Sequence, residues 1–402
     1  MKKILLLGGS AAQTIAIETA KRLGYFTVVC DYLPDNPGRD LADAFYLVST
    51  TDKEAVLEVA RKERIDGIVA YSSDPAAPTA AYVAEQLHLV GLKYDVVRHF
   101  CEKNLFREFL SRHGFHVPRS TALNPPYDVT GLRLADFRFP LIVKPTDSSG
   151  SKGIAVIRNP LELSAAIDYA KAFARKGTII VEEFIERDHP HVIEAEIFAI
   201  KGKVVSWGLI NSIRDQRSNP LLPAGYSYPL QLSAERKQLV RDEVSRLVAA
   251  CGTASGAFNI EMIIDRNNRL YFLDAGPRNG GNMLPEYISL ISGKKIVEAT
   301  IQTAMGEGES VDVSLDGESG GYWGLGVLHA YERGQFAGIA YSPAAKRALQ
   351  REEVQKKVGD AIRPFERCND LVGLTFYRFG TEVEMNAVMC DMSSAKVEVS
   401  HD

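Results

Sequence analysis

One stretch constrains the rest of the chain: residues 258–282, FNIEMIIDRNNRLYFLDAGPRNGGN. Two apolar runs, Asn259 to Ile264 and Leu270 to Leu273, flank a polar knot from Asp265 to Arg269. Short apolar runs bounded by turn formers predict a β-hairpin, with Asn267 and Asn268 as the turn pair because Asn tolerates positive φ. A two-residue loop there pairs Arg266 with Arg269, Ile263 with Phe272 and Glu261 with Asp274. Two acids then oppose each other on neighbouring strands, which destabilises a sheet unless a cation stands between them. A hard divalent ion such as Mg²⁺ takes carboxylate oxygens and often comes with substrate phosphates. Arg278 follows four residues after Asp274, and the strand leaves through Asn279-Gly280-Gly281-Asn282. Carboxylates, cation and guanidinium together suit a floor for phosphoryl transfer. Taken alone, the stretch also suits a surface hairpin with its acids in water. A loop changed by one residue would send Asp274 to the opposite face.

With 402 residues the chain has room for two or three domains. Its 46% apolar and 24% charged residues are the proportions of a soluble globular protein, and no apolar run approaches a membrane span. A net charge of −4 without a basic stripe argues against a nucleic-acid partner. The five cysteines (Cys30, Cys101, Cys251, Cys368, Cys390) show neither C-x-x-C nor metal-ligand spacing, which predicts a reduced, cytoplasmic protein. The opening MKKILLLGGS carries too short an apolar run for a secretory signal.

The first ninety-odd residues alternate strand and helix. Strands are expected at Ile4 to Leu7, Phe26 to Cys30 and Gly67 to Tyr71, and helices at Ala11 to Leu23, Lys53 to Lys62 and Pro78 to Leu87. That is the rhythm of an open parallel sheet. Gly8-Gly9-Ser10 followed by Asp31 imitates a dinucleotide site, but the loop G-G-S-A-A-Q lacks the G-x-G-x-x-G spacing. Gly9 and Ser10 still place amides at a helix N-terminus, where a carboxylate or small anion fits. Asp74 follows the third strand, where open α/β sheets present ligand groups. Both acids suit a helix cap or turn equally well.

A helix is expected from Val96 to His113, carrying Lys103. The buried strand Leu141 to Val143 delivers Lys144, and the flexible D-S-S-G-S-K-G, Asp147 to Gly153, leads into a strand from Ile154 to Ile157. Such a turn can fold over a phosphate chain with amides and hydroxyls inward, with Lys144 and Lys152 supplying charge. It suits a plain mobile hairpin as well. The next strand, Thr178 to Val181, runs into Glu182-Glu183-Phe184-Ile185, whose backbone could meet a base edge.

Taken in order, these pieces resemble the ATP-grasp superfamily over essentially the whole chain, and are similar to its biotin carboxylase and amino-acid ligase members. The signals are Lys103, Lys144, the 147–153 loop, E182-EFI, and Glu261 with Asp274 followed by Arg278. The resemblance implies a mixed α/β and α+β fold. Residues 1–97 would form an open parallel pre-ATP-grasp domain, 98–310 a two-part ATP-grasp module hinged near 182–186, and 311–402 a small α+β lid. It implies that Lys103 and Lys144 contact ATP phosphates under Ser148, Ser149, Gly150, Ser151 and Lys152. Glu182, Glu183, Phe184, Ile185 and Ile263 would surround adenine. Glu261 and Asp274 would hold Mg²⁺, as two ions with Mn²⁺ as a substitute, and Arg278 would steady the reacting acyl group. Two positions depart from the family pattern. Gly276 replaces a common Asn ligand, with Asn279 or Asn282 as stand-ins. Val192 falls near the usual ribose acid, with Asp188, His191 or Glu194 nearby.

The implied activity joins a small carboxylate to an amine through an acyl phosphate. A carboxylase-like, carbamoyl-phosphate-like or purine-pathway enzyme is the family alternative. An NAD(P)-linked oxidoreductase and a non-catalytic nucleotide-binding regulator are the rivals from other classes. Asn211 to Leu230 reads as a substrate loop, with Arg214 or Arg217 for a carboxylate and Tyr226 or Tyr228 as walls. A surface connection with ordinary arginines fits that segment nearly as well. Gly9, Ser10, Asp74 and Asn282 complete the substrate candidates. Beyond a helix ending near Met305, Gly306 to Gly321 reads as a linker and Ser342 to Val358 as a helix. The expected partners are small molecules and a second copy in a homodimer, with no nucleic acid and no membrane.

Overall fold

The computed structural model describes residues 1–129, 132–148, 150–308, 311–313 and 320–401. The strands Lys3–Leu7, Phe26–Asp31, Ala44–Leu47 and Gly67–Val69 form a parallel sheet, with Lys3–Leu7 between Phe26–Asp31 and Gly67–Val69. Alternate residues serve opposite faces: Leu5, Leu7 and Val28 pack in one core, Ile4, Leu6 and Val29 in another. Asp52 starts the helix Lys53–Glu63 by accepting a hydrogen bond from the Ala55 amide. The strand expected to run to Tyr71 stops at Val69, and Ser72 turns the chain at φ 51°.

A second, antiparallel sheet comprises Ser120–Leu123, Ile179–Glu183, Leu141–Pro145 and Ala155–Ile157, in that lateral order, with helix Leu163–Lys171 packed on it. The third sheet is the largest and organises the molecule. Its order is Leu270–Gly276, Gly256–Ile264, Val192–Ile200, Lys203–Arg214, Pro223–Tyr228, Tyr322–Leu328, Gly373–Phe379, Leu349–Val354. Helix Ala234–Ala250 covers one face with Val240, Val244, Leu247 and Val248, the i, i+4, i+7, i+8 stripe of an amphipathic helix. Helices Leu284–Ser292 and Ile296–Ala304 cover the other. No helix among the described residues is long and apolar enough to cross a membrane.

Three expectations need correction. Asn211 to Leu230 is half strand, because Lys203–Arg214 and Pro223–Tyr228 pair directly, and residues 215–222 and 229–230 lie outside the strands. The helix over Ser342 to Val358 ends at Ala348. Leu349–Val354 instead pairs with Gly373–Phe379, and the tertiary edge outweighs local helix propensity. The helix of Lys103 is broken at Glu102, which is extended, so that the Lys103 amide donates to the Thr146 carbonyl at 2.9 Å. Of the expected linker, residues 309–310 and 314–319 lie outside the described residues.

The hairpin forms with a different loop. Asp265 and Arg269 close a three-residue connection, with Asn268 left-handed at φ 58°. Met262 therefore faces Phe272 and Ile263 faces Tyr271, so the expected Ile263–Phe272 and Arg266–Arg269 pairs do not form. The register then shifts: Leu273 is skipped and Glu261 faces Asp274 after all. One extra loop residue and one bulge cancel. Asn268→Val forces a branched side chain into the left-handed region, with an expected loss of about 1–2 kcal/mol read as a lowered urea midpoint. Asn268→Gly should be tolerated.

Candidate active site

A cavity of about 1070 Å³ opens where the N-terminal loops, the small antiparallel sheet and the large sheet meet. Its lining gathers most residues singled out from the sequence: Ser10, Asp74, Lys103, Lys144, Ser148, Gly150, Ser151 and Glu182 to Ile185. Arg214, Tyr226, Glu261, Ile263, Asp274, Arg278 and Asn282 line it too. Gly9, Lys152 and Arg217 do not, and Ser149 lies outside the described residues. The Gly9 amide donates to Asp31 at 2.8 Å and the Ser10 amide to Gln13 at 3.1 Å, so this helix start holds internal acceptors. Arg217 instead lies 4.1 Å over the Tyr331 ring.

Acids line up across the floor. Glu194, Glu261 and Asp274 occupy one register row on three adjacent strands, and Glu196, Asn259 and Gly276 the row beside it. Arg214 reaches Glu261 at 2.9 Å, and Lys103 reaches Asp274 at 3.1 Å. Burial opposes ionisation of Asp274, yet Lys103, Lys144 and Arg278 hold its pKa below the ordinary value. Glu194 has no such cation to itself. Asn259 donates to one of its oxygens at 2.7 Å, the other has no partner, and burial with the nearby Glu261 pushes its pKa to about 8. Burial takes Glu196 to about 8 as well, against hydrogen bonds from Gly280 at 2.9 Å and Asn279 at 3.2 Å. The alternation in V192-I-E-A-E-I places both glutamates on one strand face.

Above the floor lies a basic cluster. Lys144 ion-pairs with Glu182, which also accepts a two-pronged bond from Arg107 at 3.0 and 3.2 Å. All three are buried. Burial lowers the Lys144 pKa, and although burial alone would raise that of Glu182, Arg107 and Lys144 draw it down to about 2. Arg107 was missed from sequence, though it lies one turn beyond Lys103 on the same helix. The flap loop begins at buried Asp147, which accepts from the amides of Arg175 at 3.0 Å and Lys176 at 2.8 Å. Gly150 and Ser151 are left-handed, at φ 68° and 57°, and curl the loop back. Beside the hinge, Val192, Ile263 and Tyr271 form an apolar wall with Ile185 and Leu273. Glu183 turns its carboxylate to the Arg138 amide at 3.0 Å, and its own amide is bonded to Arg119.

Arg278 forks onto Asp74 with two bonds of 2.7 Å and reaches Asn259 at 3.0 Å. A Cβ on residue 276 would lie 2.6 Å from the Arg278 guanidinium carbon and 2.7 Å from the Asp74 carboxylate, so glycine there admits this pair. Asn279 is buried against Glu196, and Asn282 donates to the Tyr226 hydroxyl at 3.1 Å. Asp188 pairs with Arg236 at 2.8 Å. His189 accepts from the Ile264 amide at 3.0 Å, and burial lowers its pKa to about 4.

Among the described residues no group of three or more His, Cys, Asp or Glu converges as a ready-made metal cage. Mg²⁺ needs none: it takes one or two carboxylates and completes its shell with water and phosphate oxygens. Glu261 and Asp274, cross-strand partners on the cavity floor, fit that requirement.

Buried lysines beside a left-handed glycine-serine loop, an apolar wall and an acidic hairpin floor suit a nucleotide-dependent ligase. The family model "Carbamoyl-phosphate synthase L chain, ATP binding domain" matches residues 102–310, and the chain belongs to this ATP-grasp family of ATP-dependent ligases. A formate-dependent phosphoribosylglycinamide formyltransferase of Burkholderia vietnamiensis is 26% identical over 293 residues, covering 69% of each chain. Among solved structures, an L-amino acid ligase from Bacillus licheniformis superposes with TM-score 0.82 and 21% identity over 100% of this chain and 99% of that one. Phosphoribosylglycinamide synthetase from Anaerococcus prevotii gives 0.76 and 21%, over 99% and 100%. Both share the fold.

The buried carboxyls set a pH signature. Burial pushes the Glu196 carboxyl up to about 8 in the folded state, whereas an unfolded carboxyl titrates near its ordinary value of 4.5. Between those values the unfolded chain binds fewer protons, so stability falls as pH rises, by at most about 1.4 kcal/mol per pH unit for each such group. Glu196→Gln is expected to flatten the decline of melting temperature between about pH 5 and pH 8.

Proposed function

We propose that the protein phosphorylates a small carboxylate with ATP and joins the activated acyl group to an amine, releasing ADP and phosphate. The observation that carries this reading is the facing arrangement of two charge sets. Glu261 and Asp274 lie on the floor, with Lys103 and Lys144 beside a left-handed glycine-serine loop around the same cavity. Carboxylates do not condense with amines in water because the leaving group is oxide. Transfer of a phosphoryl group makes phosphate the leaving group instead. The protein then has to position, exclude water and balance charge, and it needs no nucleophilic side chain.

The chain's own groups divide as follows. Lys144, braced by Glu182, and Lys103 hold the phosphates under Ser148, Gly150 and Ser151. The apolar wall with Ile263 and the hinge from Glu182 to Ile185 takes the base. Glu261 and Asp274 hold Mg²⁺, as two ions that Mn²⁺ can replace. When bound, these ions spread the charge of the transferring group. Arg278, aided by Asn259, meets the developing negative charge of the acyl centre, while Tyr226, Asn282 and Asp74 wall the substrate end. Residues 1–97 supply the substrate-side loops, 98–310 the nucleotide site, and 311–402 the remaining cover. Five unpaired cysteines support a cytoplasmic setting, and a homodimer is the expected assembly.

Phosphate release from ATP and Mg²⁺, measured across small carboxylates paired with amines, is the direct test. Turnover is expected with a defined pair, and a nucleotide-binding regulator would show ATP binding with no release for any mixture. Lys144→Ala, Glu261→Gln and Arg278→Ala should each lower kcat by about 100-fold or more in protein that circular dichroism shows to be folded at the assay temperature. Near-wild-type turnover in any of the three removes that residue from the assignment.

A further inference from the structure

Arg107 is a buried cation that the roles above leave unassigned. It is 4% exposed and projects from the first turns of Lys103–Arg112. A guanidinium has five donors. Here Nε and Nη2 bind both oxygens of Glu182, while Nη1 reaches the Phe272 carbonyl at 3.1 Å and Nη2 the Leu273 carbonyl at 2.9 Å. Those carbonyls belong to Leu270–Gly276, the edge strand of the large sheet, with no further strand beside it among the described residues. Leu273 is the residue that the ladder skips, and its carbonyl belongs to the peptide that leads into Asp274. A bulge re-aims the neighbouring side chain, and its stranded carbonyl needs a donor. Arg107 provides that donor. On its other side, Glu182 carries the ion pair with Lys144.

We propose that Arg107 is a positioning residue that couples the two halves of the phosphate site, fixing at once the peptide before Asp274 and the carboxylate that braces Lys144. This inference rests on the ATP-grasp reading of the same cavity. Arg107, Lys144 and Glu182 together carry one surplus positive charge in a region shielded from water. A polyphosphate near Lys144 supplies the missing negative charge, and the guanidinium passes the resulting shift to the Asp274 peptide. Metal on the floor and nucleotide under the flap then favour each other's binding. A lysine at this position keeps the charge but cannot fork onto a carboxylate while holding two carbonyls.

The experiment measures ATP affinity of the full chain by calorimetry, with Mg²⁺ and with EDTA, and takes the ratio as the coupling. Arg107→Lys and Arg107→Met should reduce that ratio by about fivefold or more, within the usual range of coupling between two sites. Glu182→Gln, which loosens the other arm, should reduce it too. The double variant Arg107→Lys with Glu182→Gln should lose little more than either alone, since both act on one path. Melting temperatures without ligand identify which variants are folded, and Glu182→Gln carries the test if substitutions at 107 are not tolerated. A wild-type ratio in a folded variant, or additive losses in the double, overturns the coupling while leaving the function intact. Wild-type protein that binds no ATP overturns the functional reading and this inference with it.

Discussion

The cleft depends on how the sheet tolerates acids side by side. Glu194, Glu261 and Asp274 share one row, and adjacent like charges in a poorly hydrated setting are costly. Each acid is relieved differently. Glu194 keeps a proton, Glu261 leans on Arg214 within the same sheet, and Asp274 takes Lys103 from the helix that precedes the small sheet. The compensating cations come from different parts of the chain, so neutralising the row also ties those parts together. Removing one partner of such a pair leaves the other's charge unmatched.

Geometry at the hairpin meets the same need. A three-residue loop alone would have turned Asp274 away from Glu261, and the bulge at Leu273 turns it back. The bulge leaves a carbonyl outside the ladder, and Arg107 occupies that position with a side chain already committed to the hinge. Loop, bulge, arginine and hinge carboxylate form one connected set.

Much of this was readable in the sequence, for definite reasons. Short apolar runs fixed the parallel strands, and the spacing of Lys103, Lys144, Glu261, Asp274 and Arg278 matched residues that share the cavity. Local pattern failed where pairing across distance decides. Leu349–Val354 is strand because Gly373–Phe379 lies beside it, and residues 211–214 continue a strand because Pro223–Tyr228 pairs with it. The pairing of Glu261 with Asp274 was right, but through a different loop than expected. Arg107 and Glu196 were passed over, and Glu194 was considered only for the ribose, because a charge in a helix or strand looks ordinary until its partners are known. The role of Gly276 emerged only from the space it leaves, since no sequence rule relates residues 74, 276 and 278.

That vacancy has a further meaning. By omitting a side chain at 276, the protein lets Asp74 reach across from the N-terminal domain and occupy the guanidinium of Arg278. The aspartate acts as a tethered internal competitor. An anion taking Arg278 would have to displace it, so the apparent affinity of such a ligand would be its intrinsic affinity scaled by the fraction of molecules in which the arginine is released. The site thus carries its own threshold for entry.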